Sequence, residues 1–219
     1  AVAKDKLSVS ERSEIRDRKL PFRPLVVGGD DVTVVGDGRL GLGLAARYLQ
    51  AFEEETAKVK IPAFACAGVS VVKTHYPFAR AYGLAEELCS EAKKHARSMP
   101  DIDFSVLDWH FAASRLLGRL RAIRAWEYRL PNGDSLTMRP VRVRPLPGHW
   151  RTWDNFHLAA RAVQKGSRWA DKRNKVMKLR TVLRGGAAGV RQFIAAYDDI
   201  EQLPTLQEQS HDLDRTGWD

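Results

Sequence analysis

Apolar, mostly β-branched runs at residues 24–27 and 32–35 enclose Gly28-Gly29-Asp30-Asp31. Two such runs parted by a glycine-bearing turn predict a β-hairpin with both carboxylates at its tip. After Gly36-Asp37-Gly38 the period changes. Leu44, Tyr48, Leu49 and Phe52 recur at helical spacing and predict a helix over about 40–58. Residues 63–72 are small or β-branched and uncharged, which predicts a central strand buried on both faces. Pro77 suits the first turn of a second helix, and Phe78, Ala81, Tyr82, Ala85, Leu88 and Ala92 carry its apolar face to about residue 97. Met99-Pro100 ends it, and residues 104–111 read as a further strand.

Beyond an irregular basic stretch at 114–124, Pro131-Asn132-Gly133-Asp134 is a turn signal between two runs at 125–130 and 135–143, which predicts a second hairpin. From Thr152 onward the pattern is helical only. Three helices are expected at about 153–165, 168–184 and 187–197. Trp169, Val176, Leu179 and Val182 keep one face of the middle one apolar, and Gly185-Gly186 stops it. At the start, Ser8 and Ser10 can cap a short charged helix over 11–18.

The order hairpin, helix, strand, helix, strand is most of a ferredoxin-like arrangement, the palm of many nucleotide polymerases and cyclases. The fold class expected is α+β: a ferredoxin-like palm followed by a small basic all-α domain. The expected divisions are a leading helix or linker over 1–20, the palm over 21–145, a basic three-helix domain over 146–200 and a polar, partly disordered tail over 201–219. Pro145 and Pro147 mark the boundary between the last two folded parts.

A chain of 219 residues with 44% apolar content holds one domain of ordinary size, or one with a small appendage. It has no apolar run of membrane-spanning length and no secretory leader pattern, so a soluble cytoplasmic protein without membrane contact is expected. Cys66 and Cys89 are too few for a disulfide framework and read as buried free thiols. The formal net charge is +9. Residues 142–191 hold 13 of the 36 basic residues and two acids, Asp154 and Asp171; elsewhere 23 basic and 25 acidic residues give a balance of −2. That basic third can face a nucleic-acid backbone, an acidic partner or polyphosphate, or can be a solvated helical surface.

The hairpin tip carries the sharpest chemistry. Adjacent aspartates repel each other at the mouth of a sheet unless a cation neutralises them, and oxygen-only ligands suit Mg²⁺ or Mn²⁺. Glycines there let a ligand approach the main chain. The same four residue types also make an ordinary turn. The six histidines show no metal-ligand spacing, though His75 follows the expected central strand and can reach a nucleotide. Trp150, Trp153 and Trp169 lie among arginines, where they either stack on bases or anchor a helical core. Neither a Walker-type loop nor a Gly-x-Ser-x-Gly elbow occurs.

Residues 21–31 (Pro-Phe-Arg-Pro-Leu-Val-Val-Gly-Gly-Asp-Asp), Cys66-Ala-Gly-Val-Ser70, Tyr76-Pro77-Phe78, Ala85-Glu86-Glu87-Leu88 and Ala92-Lys93 together resemble one family. It is the second palm domain of the large subunit of type III CRISPR effector complexes and its stand-alone relatives; more distantly the layout resembles GGDEF diguanylate cyclases. The resemblance covers about 21–112, and less specifically the helices that follow. It implies a metal-dependent nucleotidyltransferase that makes oligoadenylate or a cyclic dinucleotide from ATP in prokaryotic antiviral defence. Two divalent ions, Mg²⁺ or Mn²⁺, would be held by Asp30 and Asp31. Gly28 and Gly29 would accommodate the nucleotide, and Lys93, with Lys94 beside it, would contact the triphosphate. A helix C-terminus also welcomes lysines without any ligand.

One departure stands out. The family places another metal-binding aspartate on a strand ahead of the hairpin, whereas residues 1–19 show no strand pattern. Three explanations stay open: a fragment of a longer protein, which is the leading one, a palm completed by a second chain, or an inactive palm. The rival reading is a non-catalytic palm scaffold that binds RNA, DNA or a ribonucleoprotein partner through residues 142–191.

Overall fold

The computed structural model describes residues 21–99, 103–112, 119–130, 132–133, 135–165, 169 and 172–197. The expected leading helix at 11–18 and the tail at 201–219 lie outside the described residues. The described residues form a mixed α/β structure with six helices and two small sheets. The chain divides into two units, residues 1–41 and 42–219.

The first unit contains the hairpin. Strand β1 (Phe22–Gly28) pairs antiparallel with β2 (Asp31–Gly36), Gly28 facing Asp31 and Phe22 facing Gly36. The register shifts between Pro24 and Val26, where proline has no N–H to give the ladder. Leu25, Val26, Val27, Val32, Val34 and Val35 are all exposed.

Helix α1 (Gly38–Lys58) opens the second unit and buries Ala46, Leu49 and Glu53. Of its expected apolar positions Leu49 is buried, while Tyr48 stays exposed and stacks on Phe52. Strand β3 (Cys66–Val71) pairs in parallel with β4 (Val106–Phe111) from Cys66–Val106 to Val71–Phe111, and α2 (Phe78–Ser98) makes the crossover. Strand β5 (Val141–Arg142) pairs antiparallel with the start of β4.

Strand order β3-β4-β5 corrects one expectation. The uncharged run at 63–72 supplies β3, which is half-buried throughout and, among the described residues, pairs only with β4; β4 is the central strand of the three. Charge misled the pattern, because β4 carries Asp108 and His110 fully inside. Arg124 donates to both Asp108 oxygens, at 2.9 and 2.7 Å, and to the Trp109 carbonyl at 3.0 Å. A buried carboxylate is tolerated when paired and hydrogen-bonded in this way.

A second correction concerns the expected hairpin at 125–143. Residues 120–128 form helix α3 (Leu120–Tyr128), and of the hairpin only an isolated bridge, Arg129 to Ser135, is present. Leu120, Ile123, Arg124 and Glu127 face inward at helical spacing. Glu87 Oε1 accepts from the Leu120 amide at 3.1 Å, which satisfies one of the helix's open donors.

The two faces of the sheet are covered differently. On one, Leu107 and Trp109 join Ala46, Leu49, Val141 and Val143 in a core cluster. Helix α4 (Trp153–Lys165), expected to open the helical domain, packs Trp153 and Phe156 against that cluster, with Trp109 and Phe156 ring centres 4.6 Å apart. On the other face α2 lies against β3 and β4, and Ala92 and Ala96 pack on Val106 and Phe104. Gly68 sets that approach: a side chain there would run into the Ala85 carbonyl and the Cys89 amide, backbone atoms that cannot swing aside. Helices α5 (Arg173–Leu183) and α6 (Gly186–Ala195) form a separate cluster around Trp169, Leu179 and Phe193.

Candidate functional site

The Gly-Gly-Asp-Asp turn is two residues long, Gly29 and Asp30, between Gly28 and Asp31 at the strand ends. Gly29 has φ +61° and Asp30 does not have positive φ, the pattern of a type II′ turn, which needs glycine first. No atom lies within 4 Å of where a Cβ would sit on Gly28 or Gly29, so the main chain is open to a ligand there. Asp30 and Asp31 are exposed.

Among the described residues of its own unit, no basic side chain is paired with the turn. Arg39 is engaged at the far end of the hairpin, where its side chain bonds Asp37 and holds that carboxyl at about 2. Arg23 pairs across the ladder with Val35, several residues from the tip. Among the described residues, neither Asp30 nor Asp31 has an ion pair or a side-chain hydrogen bond.

No protein-family model matches the chain, and no curated protein matches it.

The remaining expected site residues lie in the second unit, on the last turns of α2. Lys94 Nζ is 2.7 Å from Glu91 Oε1, and Arg121 Nε reaches the same carboxylate at 3.3 Å. Burial alone would raise the Glu91 pKa; the bonds from Lys94 and Arg121 outweigh it and hold the carboxyl below its usual range. Lys93 is exposed and makes no ion pair among the described residues. The two neighbouring lysines are therefore unlike: one is neutralised by the protein and the other is not.

The donor set fits a hard cation in part. Two carboxylates are neighbours in sequence at the turn, and Mg²⁺ is commonly held by one or two carboxylates with waters and substrate phosphates making up its shell. Among the described residues no group of three or more His, Cys, Asp or Glu side chains converges as a ready-made metal cage. His75 is exposed in the loop after β3. The free thiols Cys66 and Cys89 meet across the β3–α2 layer, Cys89 Sγ donating to the Cys66 carbonyl at 3.3 Å. Among the described residues no helix is long and apolar enough to cross a membrane.

Two buried polar groups were not visible in the sequence pattern. Besides Asp108, His110 is buried on β4 with its Nδ1 unpartnered among the described residues; burial lowers its pKa, and Arg139 lowers it further. Glu53, buried on α1, accepts from the Ser105 amide at 2.7 Å and from Arg144. The only local signal was a charged residue in an otherwise apolar strand or helix face.

Proposed function

We propose that the chain is the palm of a metal-dependent nucleotidyltransferase that joins ATP into a 3′–5′ linked oligoadenylate or a cyclic dinucleotide. The observation that carries this reading is the open turn with two carboxylates that make no ion pair among the described residues. Support also comes from the element order β1-β2-α1-β3-α2-β4, which keeps the succession hairpin, helix, strand, helix, strand on which the resemblance rests. The resemblance to the second palm of type III effector large subunits supplies the substrate class and the antiviral setting.

On this reading Asp30 and Asp31 would hold the divalent ion, which when bound offsets triphosphate charge and steadies the leaving pyrophosphate. Gly28 and Gly29 keep Cβ atoms away from the turn, so a nucleotide can lie against the main chain. Lys93 is the lysine on α2 whose ammonium is open to a phosphate; Lys94 is held by Glu91. The roles are thereby unequal, and Lys93→Ala matters more than Lys94→Ala.

Calorimetric titration of Mn²⁺ with a non-hydrolysable ATP analogue tests the reading. The chain is expected to bind the analogue only with metal, and Asp30→Ala/Asp31→Ala to bind it about tenfold or more weakly with unchanged circular dichroism. Equal affinity in the two proteins overturns the reading.

A further inference from the structure

A cleft in the second unit, lined by none of the residues assigned above, has the chemistry of a phosphate site. Its volume is about 340 Å³, at the small end of the range for small-molecule pockets. The end of α2 supplies His95, the residue before β4's lead-in supplies Phe104, β5 supplies Arg142, and the link to α4 supplies His149, Trp150 and Arg151. Among the described residues no carboxylate lines it.

Both arginines are positioned by aromatic rings. The Arg142 guanidinium lies 4.2 Å from the centre of the Phe104 ring, and that of Arg151 4.8 Å from Trp150. Arg151 is half-buried and has no ion pair or side-chain hydrogen bond among the described residues, and its burial pushes its pKa down. Such a cation is costly to keep without a counter-charge, and a planar guanidinium matches a phosphate's paired oxygens. His95 registers the same field: burial lowers its pKa first, Arg151 and His149 lower it further, and Asp108 opposes them.

The walls are also preorganised. The Arg142 amide bonds the Arg151 carbonyl at 3.0 Å, and the Val143 amide bonds the Ser105 carbonyl at 3.0 Å. Asn155 Nδ2, buried at the start of α4, holds the Trp150 carbonyl at 3.1 Å. A site whose backbone is fixed in advance loses less entropy on binding.

We infer that this cleft binds a single phosphorylated nucleotide unit, its phosphate on Arg151 and its base against the aromatic wall. The cleft admits one such unit and not a duplex. The unit comes either as a free nucleotide or as the phosphorylated end of an RNA strand, and both present the same group.

The test is calorimetry on the full chain in EDTA, which keeps the metal-dependent turn out of the measurement, so the result stands apart from the polymerase reading. The probes are 5′-AMP, a 5′-phosphorylated oligoribonucleotide, adenosine and inorganic phosphate. AMP is expected to bind, with adenosine and inorganic phosphate each about tenfold or more weaker. Arg151→Gln is expected to weaken AMP about tenfold, and His149→Gln to weaken it without altering the melting temperature. Arg180→Gln, on the exposed side of α5, is expected to stay within about twofold. Binding of the oligoribonucleotide as tight as AMP assigns the site to strand ends, and its exclusion assigns the site to free nucleotide. Absence of AMP binding at millimolar concentration overturns the inference, as does full affinity in both Arg151→Gln and His149→Gln. Inorganic phosphate binding as tightly as AMP overturns the nucleotide assignment.

Discussion

Val27 on β1 and Val106 on β4 are the same residue in the same backbone conformation, yet Val27 is 73% exposed and Val106 0%. The β1–β2 hairpin is a two-stranded ladder whose apolar residues face solvent on both sides. The β3-β4-β5 sheet has α2 against one face and α1 and α4 against the other. Pairing alone makes a strand; cover makes it stable. A lone two-stranded hairpin is marginal in water, whereas a sheet between helices buries its side chains. The region bearing the proposed chemistry is thus the less supported of the two, as mobile or completable functional segments tend to be.

Substitutions can break that contrast. Trp109→Ala removes the ring against which Phe156 and Trp153 pack, and is expected to cost about 3–5 kcal/mol by urea unfolding. A cost near zero would mean that this sheet is no better covered than the hairpin. A smaller effect should follow from acid. His95 and His110 have pKa values lowered by burial, so the unfolded chain takes up protons first. Their contribution is fully present above the unfolded value of about 6.5 and is lost as pH falls toward the folded values. The melting temperature is therefore expected to drop between about pH 7 and 5, and His110→Gln to flatten that drop. The smallest effect is expected at the hairpin, where Val27→Ser should change stability by about 0.5 kcal/mol or less. A loss like that of Trp109→Ala would show that the hairpin is covered in solution.

Local patterns were legible and distant partnerships were not. Helix α4 falls at Trp153–Lys165 as its spacing implies, because its amphipathic stripe is written in consecutive residues. The turn at Gly28–Asp31 was equally readable, since a two-residue hairpin depends on the residues in it. Residues 125–128 were misread as strand because what stabilises α3 lies far off: Glu87 at its first amide and Asp108 under Arg124. The same holds for β4, read only as a further strand: Arg124, from another element, is what lets Asp108 sit inside the sheet. Lys93 and Lys94 are indistinguishable in sequence, and only Glu91 separates them. The arginine cleft draws on segments near residues 95, 104 and 142–151, so no contiguous motif announced it.

The close seat of α2 on β3 has a practical consequence. Both cysteines of the chain lie in that seam, and Gly68 leaves no room between its walls. Burial pushes the Cys66 thiol up, and the neighbouring Cys89 adds to it, so little thiolate is present at neutral pH. A thiol-reactive dye should then label Cys66, half-buried against the helix, more slowly in the folded chain than in urea, so the native chain carries its own reporter of that seam with no probe to be engineered.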